Sequence, residues 1–194
     1  MKGPESRARM WRGAIQQVLI SEAELHRRIQ VLGQAITTDY QGKDLIFVAV
    51  IRGALMFSAD LARAVDLPLR LDCIALSSYG DSYVSSGHIH LFKDLSESID
   101  GKHVLIIEDI IDSGLTLQYV WNHLMSRHPA DLNVCVLLDK RAHRRVEVPI
   151  KYTGFDVPDA FVVGYGLDYQ QRYRNLPFIG ILHPEVLAKE TPQA

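Results

Sequence analysis

Three carboxylates stand within five positions in the stretch "VLIIEDIIDSGLT", residues 104–116: Glu108, Asp109 and Asp112. Ser113, Gly114, Leu115 and Thr116 follow at once. An apolar run that ends in charge and passes into Ser-Gly-x-Thr reads as a buried strand, a tight turn and the start of a helix. At such a junction the backbone N–H groups and the helix N-terminus converge on an anion. Ser113 and Thr116 add hydroxyl donors, and Gly114 allows close backbone approach. Glu108 and Asp109 repel each other unless something binds both. Vicinal sugar hydroxyls, or a divalent cation coordinated by them, would do so. The plainer alternative is that Asp112 or Ser113 merely caps a helix, which explains one residue and leaves the two upstream acids unexplained. The stretch is neither a Walker A loop nor a GxGxxG fingerprint. It suits a ribose 5-phosphate.

Other polar groups also close apolar runs. Arg52-Gly53 follows "LIFVAVI", Ser78-Tyr79 follows "LRLDCIALS", Lys140-Arg141 follows "LNVCVLLD", and Asp168-Tyr169 follows "AFVVGYGL". Open α/β sheets bind ligands beyond the carboxyl ends of their strands, so this repetition predicts one such edge. From these residues alone Lys140 also reads as a snorkelling surface side chain. Phe161 and Val162 likewise read as core packing.

The elements that must position these groups are legible in outline. Ser21-Glu22-Ala23-Glu24 matches a capping box, and Leu25, Ile29, Leu32 and Ile36 follow at helical spacing, predicting a helix that ends near residues 40–42. Residues 45–51 are continuously apolar, as in a strand covered on both faces. Residues 52–65 read as helical, closed by Asp66-Leu67-Pro68. Strands are expected over 69–79, 103–109, 132–140 and 160–168, with a helix over 117–128 and a polar, turn-rich loop over 80–87. That alternation predicts an α/β domain with a largely parallel sheet.

At 194 residues the chain fits one domain with a sizeable core. A net charge of −2 gives no general attraction to nucleic acid or anionic membrane, so any anion needs a local site. Cys73 and Cys135 belong to no CxxC pair and read as free thiols of a reducing compartment. No apolar run approaches a membrane span. The basic N-terminal residues 1–14 read as a frayed arm rather than a signal peptide, and a cytoplasmic protein is expected. His88 and His90 share one face of a possible strand but have no third ligand at suitable spacing, so no metal site is predicted there.

The central stretch resembles the phosphoribosyl-diphosphate motif of type I phosphoribosyltransferases. "IRGALMFSADLAR", "SSYG", "KDL", "LLDKR", "PDAFVVGYGLDY" and "YRNLPFIGIL" are similar to the hypoxanthine-guanine branch of that family in its compact bacterial form. The resemblance runs from about Ile20 to Leu182. It implies an α/β type I phosphoribosyltransferase fold, a largely parallel twisted sheet flanked by helices, with a small hood formed by the chain ends and a mobile lid loop. A single domain over 15–184 is expected, its hood drawn mainly from 15–25 and 150–184, with an arm at 1–14 and a tail at 185–194.

Carried onto matching positions, the resemblance implies roles. Glu108 and Asp109 would hold the ribose hydroxyls, partly through Mg2+, and Asp112, Ser113, Gly114, Leu115 and Thr116 would cradle the 5-phosphate. Asp112 would also be the general base that takes the purine N7 proton, its charge stabilising an oxocarbenium-like transition state. Lys140 would donate to the purine 6-oxo group, selecting hypoxanthine and guanine over adenine. Phe161 would stack on the base, and the Val162 backbone would read its edge. Asp168, at the polar end of their strand, would border the purine and be the second magnesium ligand. Arg174 and the Arg52-Gly53 turn would contact the departing pyrophosphate, Arg52 largely through its backbone. Ser78 and Tyr79 match the lid dipeptide, and residues 78–87 would close over the reacting centre to exclude water.

The implied reaction joins phosphoribosyl diphosphate to N9 of hypoxanthine or guanine, giving IMP or GMP and pyrophosphate, in a homodimer or homotetramer. Two alternatives stay open within the enzyme class: preference for xanthine, which also carries a 6-oxo group, or action on a pyrimidine. A third, a regulatory protein that senses phosphoribosyl diphosphate and binds nucleic acid, would call for a basic face or a DNA-binding appendage. No nucleic acid or membrane partner is expected.

Overall fold

The computed structural model describes residues 13–78 and 89–188. Tyr79, the rest of the expected lid, His88, residues 1–12 of the arm and residues 189–194 of the tail lie outside the described residues. In chain order the first elements are β1 (Ile15–Ile20), α1 (Glu22–Asp39), β2 (Leu45–Ile51), α2 (Leu55–Ala64), β3 (Arg70–Ser78) and β4 (Ile89–Lys93). There follow β5 (His103–Ile111), α3 (Leu115–Met125), β6 (Asp131–Asp139), a 3-10 turn (Arg141–His143), β7 (Tyr152–Asp156), β8 (Val162–Val163), β9 (Ile179–Leu182) and α4 (Pro184–Ala188). Among the described residues no helix is long and apolar enough to cross a membrane.

The chain divides into two compact units, a larger one over Arg27–Asp159 and a smaller one from the two chain ends, through His26 and from Ala160 onward. The larger unit is built on a six-stranded sheet in the order β4-β3-β2-β5-β6-β7. Every pairing is parallel except that of β4 with β3. β2 lies between β3 and β5, which explains its unbroken apolar sequence. Strand alternation sends Ile46, Val48, Val50, Val104, Ile106, Val134 and Val136 into one cluster, where Leu117, Val120 and Leu124 of α3 cover them. Each such buried side chain contributes about 1.5–3 kcal/mol. A side chain at Gly33 would collide with the Ala64 backbone, so this glycine lets α1 and α2 touch. At the β7 edge, Arg28 donates from Nε to the Gly154 carbonyl (2.8 Å) and from Nη2 to the Thr153 carbonyl (2.7 Å).

The smaller unit contains an antiparallel sheet in the order β1-β9-β8. Its core gathers Val163, Tyr169, Leu176 and Leu182, with Ile15, Phe161 and Phe178 packed around them.

The capping box at Ser21 forms as expected: the Ser21 N–H donates to Glu24 Oε2 (2.8 Å) and the Glu24 N–H to Ser21 Oγ (3.3 Å). Several expectations need correction. β5 runs on to Ile111, two residues past the expected end, so Glu108 and Asp109 are not its last residues. α3 begins at Leu115 rather than Leu117 and ends at Met125 rather than His128, whose φ of 54° is incompatible with a continuing helix. The strand expected over 160–168 survives only as Val162–Val163, because Gly164 (φ 100°), Tyr165 (φ 51°) and Gly166 (φ 105°) turn the backbone away. Residues 152–156, expected in the hood, form β7 of the main sheet, paired with β6. Residues 185–188, expected as tail, continue α4.

Candidate active site

Glu108 and Asp109 are 7% and 8% exposed, delivered by the central β5. Burial, then the charge of adjacent Asp109, pushes the Glu108 carboxyl well above the usual carboxylate range. The Ile110 N–H donates to Asp109 Oδ1 at 2.9 Å. The turn after β2 packs against the same carboxylate: a Cβ at Gly53 would collide with Asp109. Gly53, in the turn after the cis peptide at Ile51–Arg52, therefore sits against Asp109.

Beyond β5 the chain forms a recess of about 170 Å³ lined by Glu108, Asp112, Ser113, Gly114 and Thr116 with three apolar neighbours. Gly114 occupies the N-cap of α3 at φ 84° and has no side chain to cap with, while Ser113 Oγ accepts the Leu115 N–H at 3.4 Å. Asp112 is therefore not a helix cap. Its Oδ1 is buried with no hydrogen-bond partner among the described residues. Its Oδ2 lies 3.7 Å from Lys140 Nζ.

Lys140 directly follows β6, and its backbone N–H donates to the Ile111 carbonyl at 2.9 Å. Its Nζ also lies 2.9 Å from Asp159 Oδ1, and His143 Nε2 is 3.0 Å from Asp159 Oδ2. The hydrogen bond from Lys140 is the main reason that the Asp159 carboxyl lies below its ordinary range. Sequence reasoning missed Asp159 and His143, although "PDAF" was part of a quoted motif. It also missed Asp139 and Arg144, and named Arg141 only as a polar residue after a strand. Asp139 is 4% exposed and pairs with Arg144 Nη2 (2.5 Å) and Arg141 Nε (3.2 Å).

Phe161, Val162, Asp168 and Arg174 belong to the smaller unit. Phe161 meets Tyr169 edge-on, with centroids 5.5 Å apart, and Val162 is buried in β8. Both oxygens of Asp168 are engaged, Oδ1 by Arg174 Nη2 (2.7 Å) and Oδ2 by the Gln171 N–H (2.8 Å). Arg174 Nη1 donates to the Gly166 carbonyl at 2.7 Å, so this guanidinium ties its own loop together. Ser78 is the last residue of β3. His90 is exposed and packs edge-on to Phe92. Among the described residues no three His, Cys, Asp or Glu side chains gather to hold a metal ion.

A mostly parallel sheet whose central strand delivers two buried acids, then a left-handed glycine nest at a helix N-terminus, defines a protein class that grips phosphorylated sugars at the strand ends. The sequence signature of the phosphoribosyl transferase domain spans residues 15–170, and the chain belongs to that family. It is 48% identical over 177 residues to the hypoxanthine-guanine phosphoribosyltransferase of Bacillus subtilis (strain 168), covering 91% of this chain and 98% of that protein. It is 50% identical over 175 residues to the bifunctional protein TilS/HprT of Listeria monocytogenes, covering 90% of this chain but spanning only 27% of that relative's length. The crystal structure of a Staphylococcus aureus hypoxanthine phosphoribosyltransferase superposes with a TM-score of 0.87 at 43% identity, covering 91% of this chain and 96% of that one.

Proposed function

We propose that this chain transfers the 5-phosphoribosyl group of phosphoribosyl diphosphate to N9 of hypoxanthine or guanine, releasing pyrophosphate and giving IMP or GMP. The observation that carries this reading is the continuity of Glu108 and Asp109 with the recess at Asp112, Ser113, Gly114 and Thr116. Names borne by relatives with near-complete mutual coverage support it.

In the transfer, the bond from the anomeric carbon to the pyrophosphate oxygen breaks and a bond to N9 forms, while the N7 proton leaves. Asp112, whose side chain is about half exposed beside Lys140, would accept that proton. Lys140 donates to O6, and Asp159 at 2.9 Å directs its ammonium. Phe161 stacks on the purine, and the Val162 backbone reads its edge. Arg52, Gly53 and Arg174 take the pyrophosphate, and Ser78 and Tyr79 start the lid.

The donor set fits magnesium. Glu108 with Asp109, and separately Asp168, offer one or two carboxylates each, the number this cation takes when substrate oxygens and water complete its shell. Two adjacent buried acids, one of them with a raised pKa, also call for a cation. Magnesium would supply charge neutralisation at the ribose hydroxyls and the diphosphate. A homodimer or homotetramer comes with the family analogy and is read by sedimentation.

A coupled pyrophosphate-release assay with phosphoribosyl diphosphate, Mg2+ and each of hypoxanthine, guanine, xanthine and adenine tests the reading. Release with the first two and none with adenine is expected. A higher kcat/KM for xanthine than for either would replace the proposed substrates, and no release with any base would end the proposal.

A further inference from the structure

An ion pair behind the recess has no part in the roles above. Arg144 is 11% exposed at its side chain, and it spends Nη2 on buried Asp139 at 2.5 Å. Its Nε reaches past that pair to the backbone carbonyl of Asp112 at 2.9 Å. The next peptide is held by the same segment: the Ser113 carbonyl accepts the N–H groups of Arg145 (3.0 Å) and Val146 (3.2 Å). Gly114 closes the contact, since a Cβ there would fall 2.6 Å from the Val146 carbonyl oxygen.

The consequence is geometric. A trans peptide is planar, with its C=O and N–H pointing in opposite directions. Fixing the Asp112 and Ser113 carbonyls toward residues 144–146 turns the N–H groups of Ser113 and Gly114 the other way. With Gly114 at φ 84°, successive N–H groups of this kind form an anion-binding concavity. Within residues 112–116 the one side-chain bond, from the Leu115 N–H to Ser113 Oγ at 3.4 Å, leaves both carbonyls unrestrained, and the Gly114 cap adds none.

We propose that Arg144, anchored on Asp139, is a positioning residue that sets the orientation of the phosphate-binding N–H groups of Ser113 and Gly114. The role rests on residues 112–116 being the 5-phosphate cradle. Because the Arg144 fork holds the Asp112 peptide itself, the same brace steadies the carboxylate proposed as base. Asp139 serves as the fixed point: it is buried, and Arg141 holds it from a second side.

Arg144→Lys tests this without stranding the Asp139 charge, since an ammonium can neutralise Asp139 but cannot also fork to the Asp112 carbonyl. Titration calorimetry with ribose 5-phosphate and, separately, pyrophosphate supplies the readout. Losing a net hydrogen bond and the orientation it enforces should weaken ribose 5-phosphate by about tenfold or more. Pyrophosphate affinity should change less than about twofold, and the KM for phosphoribosyl diphosphate should rise with the first and not the second. The charge-neutral double variant Asp139→Asn/Arg144→Gln should show the same selective loss, which separates bracing from charge compensation. Unchanged ribose 5-phosphate affinity in Arg144→Lys overturns the proposal, as does an equal loss for both ligands accompanied by a lower Tm. A wild-type protein that fails to bind ribose 5-phosphate at all would instead sink the underlying reading of the cradle.

Discussion

Asp112 turns one carboxylate oxygen toward Lys140 and keeps the other buried with no hydrogen-bond partner among the described residues. A buried acceptor left unpaired costs free energy, and the outward Oδ2 is the oxygen a substrate can reach. Asp112→Asn preserves shape and removes basicity, so kcat should fall by about 10²–10⁴ while phosphoribosyl-diphosphate affinity changes only a few-fold, as single-turnover and binding measurements would separate. Lys140→Ala should raise the KM of the base and relax the rejection of adenine; unchanged base preference would remove Lys140 from O6. The same substitution has a pH signature. Asp159 is depressed chiefly by its hydrogen bond from Lys140, so its contribution is present above the ordinary carboxylate pKa and is lost as pH falls through the lowered one. Carbon-detected NMR titration of Asp159 should show that midpoint move upward in Lys140→Ala.

Elements with a strong local pattern were legible, and short or irregular ones were not. The helix at Ser21 declared itself because the box and the Leu25, Ile29, Leu32, Ile36 stripe agree, and all four stripe residues are buried. β2, β5 and β6 declared themselves because strands covered on both faces are apolar throughout. β1 did not: three consecutive exposed residues and register shifts on both sides of Gln17–Val18 erase the period of two. β8 is two residues long, too short to carry a pattern, and the glycines that end it looked like strand interior. The recess residues were readable as a contiguous motif, whereas Arg144, held by Asp139, meets Asp112 only through tertiary contact, which no spacing announces. At this scale Leu124→Ala removes a fully buried side chain from the α3 face and should cost about 2–5 kcal/mol in urea unfolding. Ser21→Ala should cost about 1 kcal/mol, because it breaks one reciprocal cap.

For the whole molecule, charge and composition gave bounds and no mechanism. A net charge of −2 was compatible with any small soluble domain, and what separates this chain from others is local: two acids and a nest on one strand end. The division at His26 and Asp159 was the least readable feature, because α1 crosses the first boundary as one uninterrupted helix.

The Arg28 contact with the outer strand of the main sheet has a consequence for solubility. A terminal strand normally presents unsatisfied carbonyls that another copy can adopt as a template for cross-chain growth. By occupying the Thr153 and Gly154 oxygens, one guanidinium blunts that row and leaves a positive charge where an incoming strand would dock. Arg28→Ala should therefore leave turnover near wild type yet make concentrated, gently warmed samples scatter light and bind thioflavin sooner, whereas equal lag times for the two proteins would show that this margin is guarded by something else.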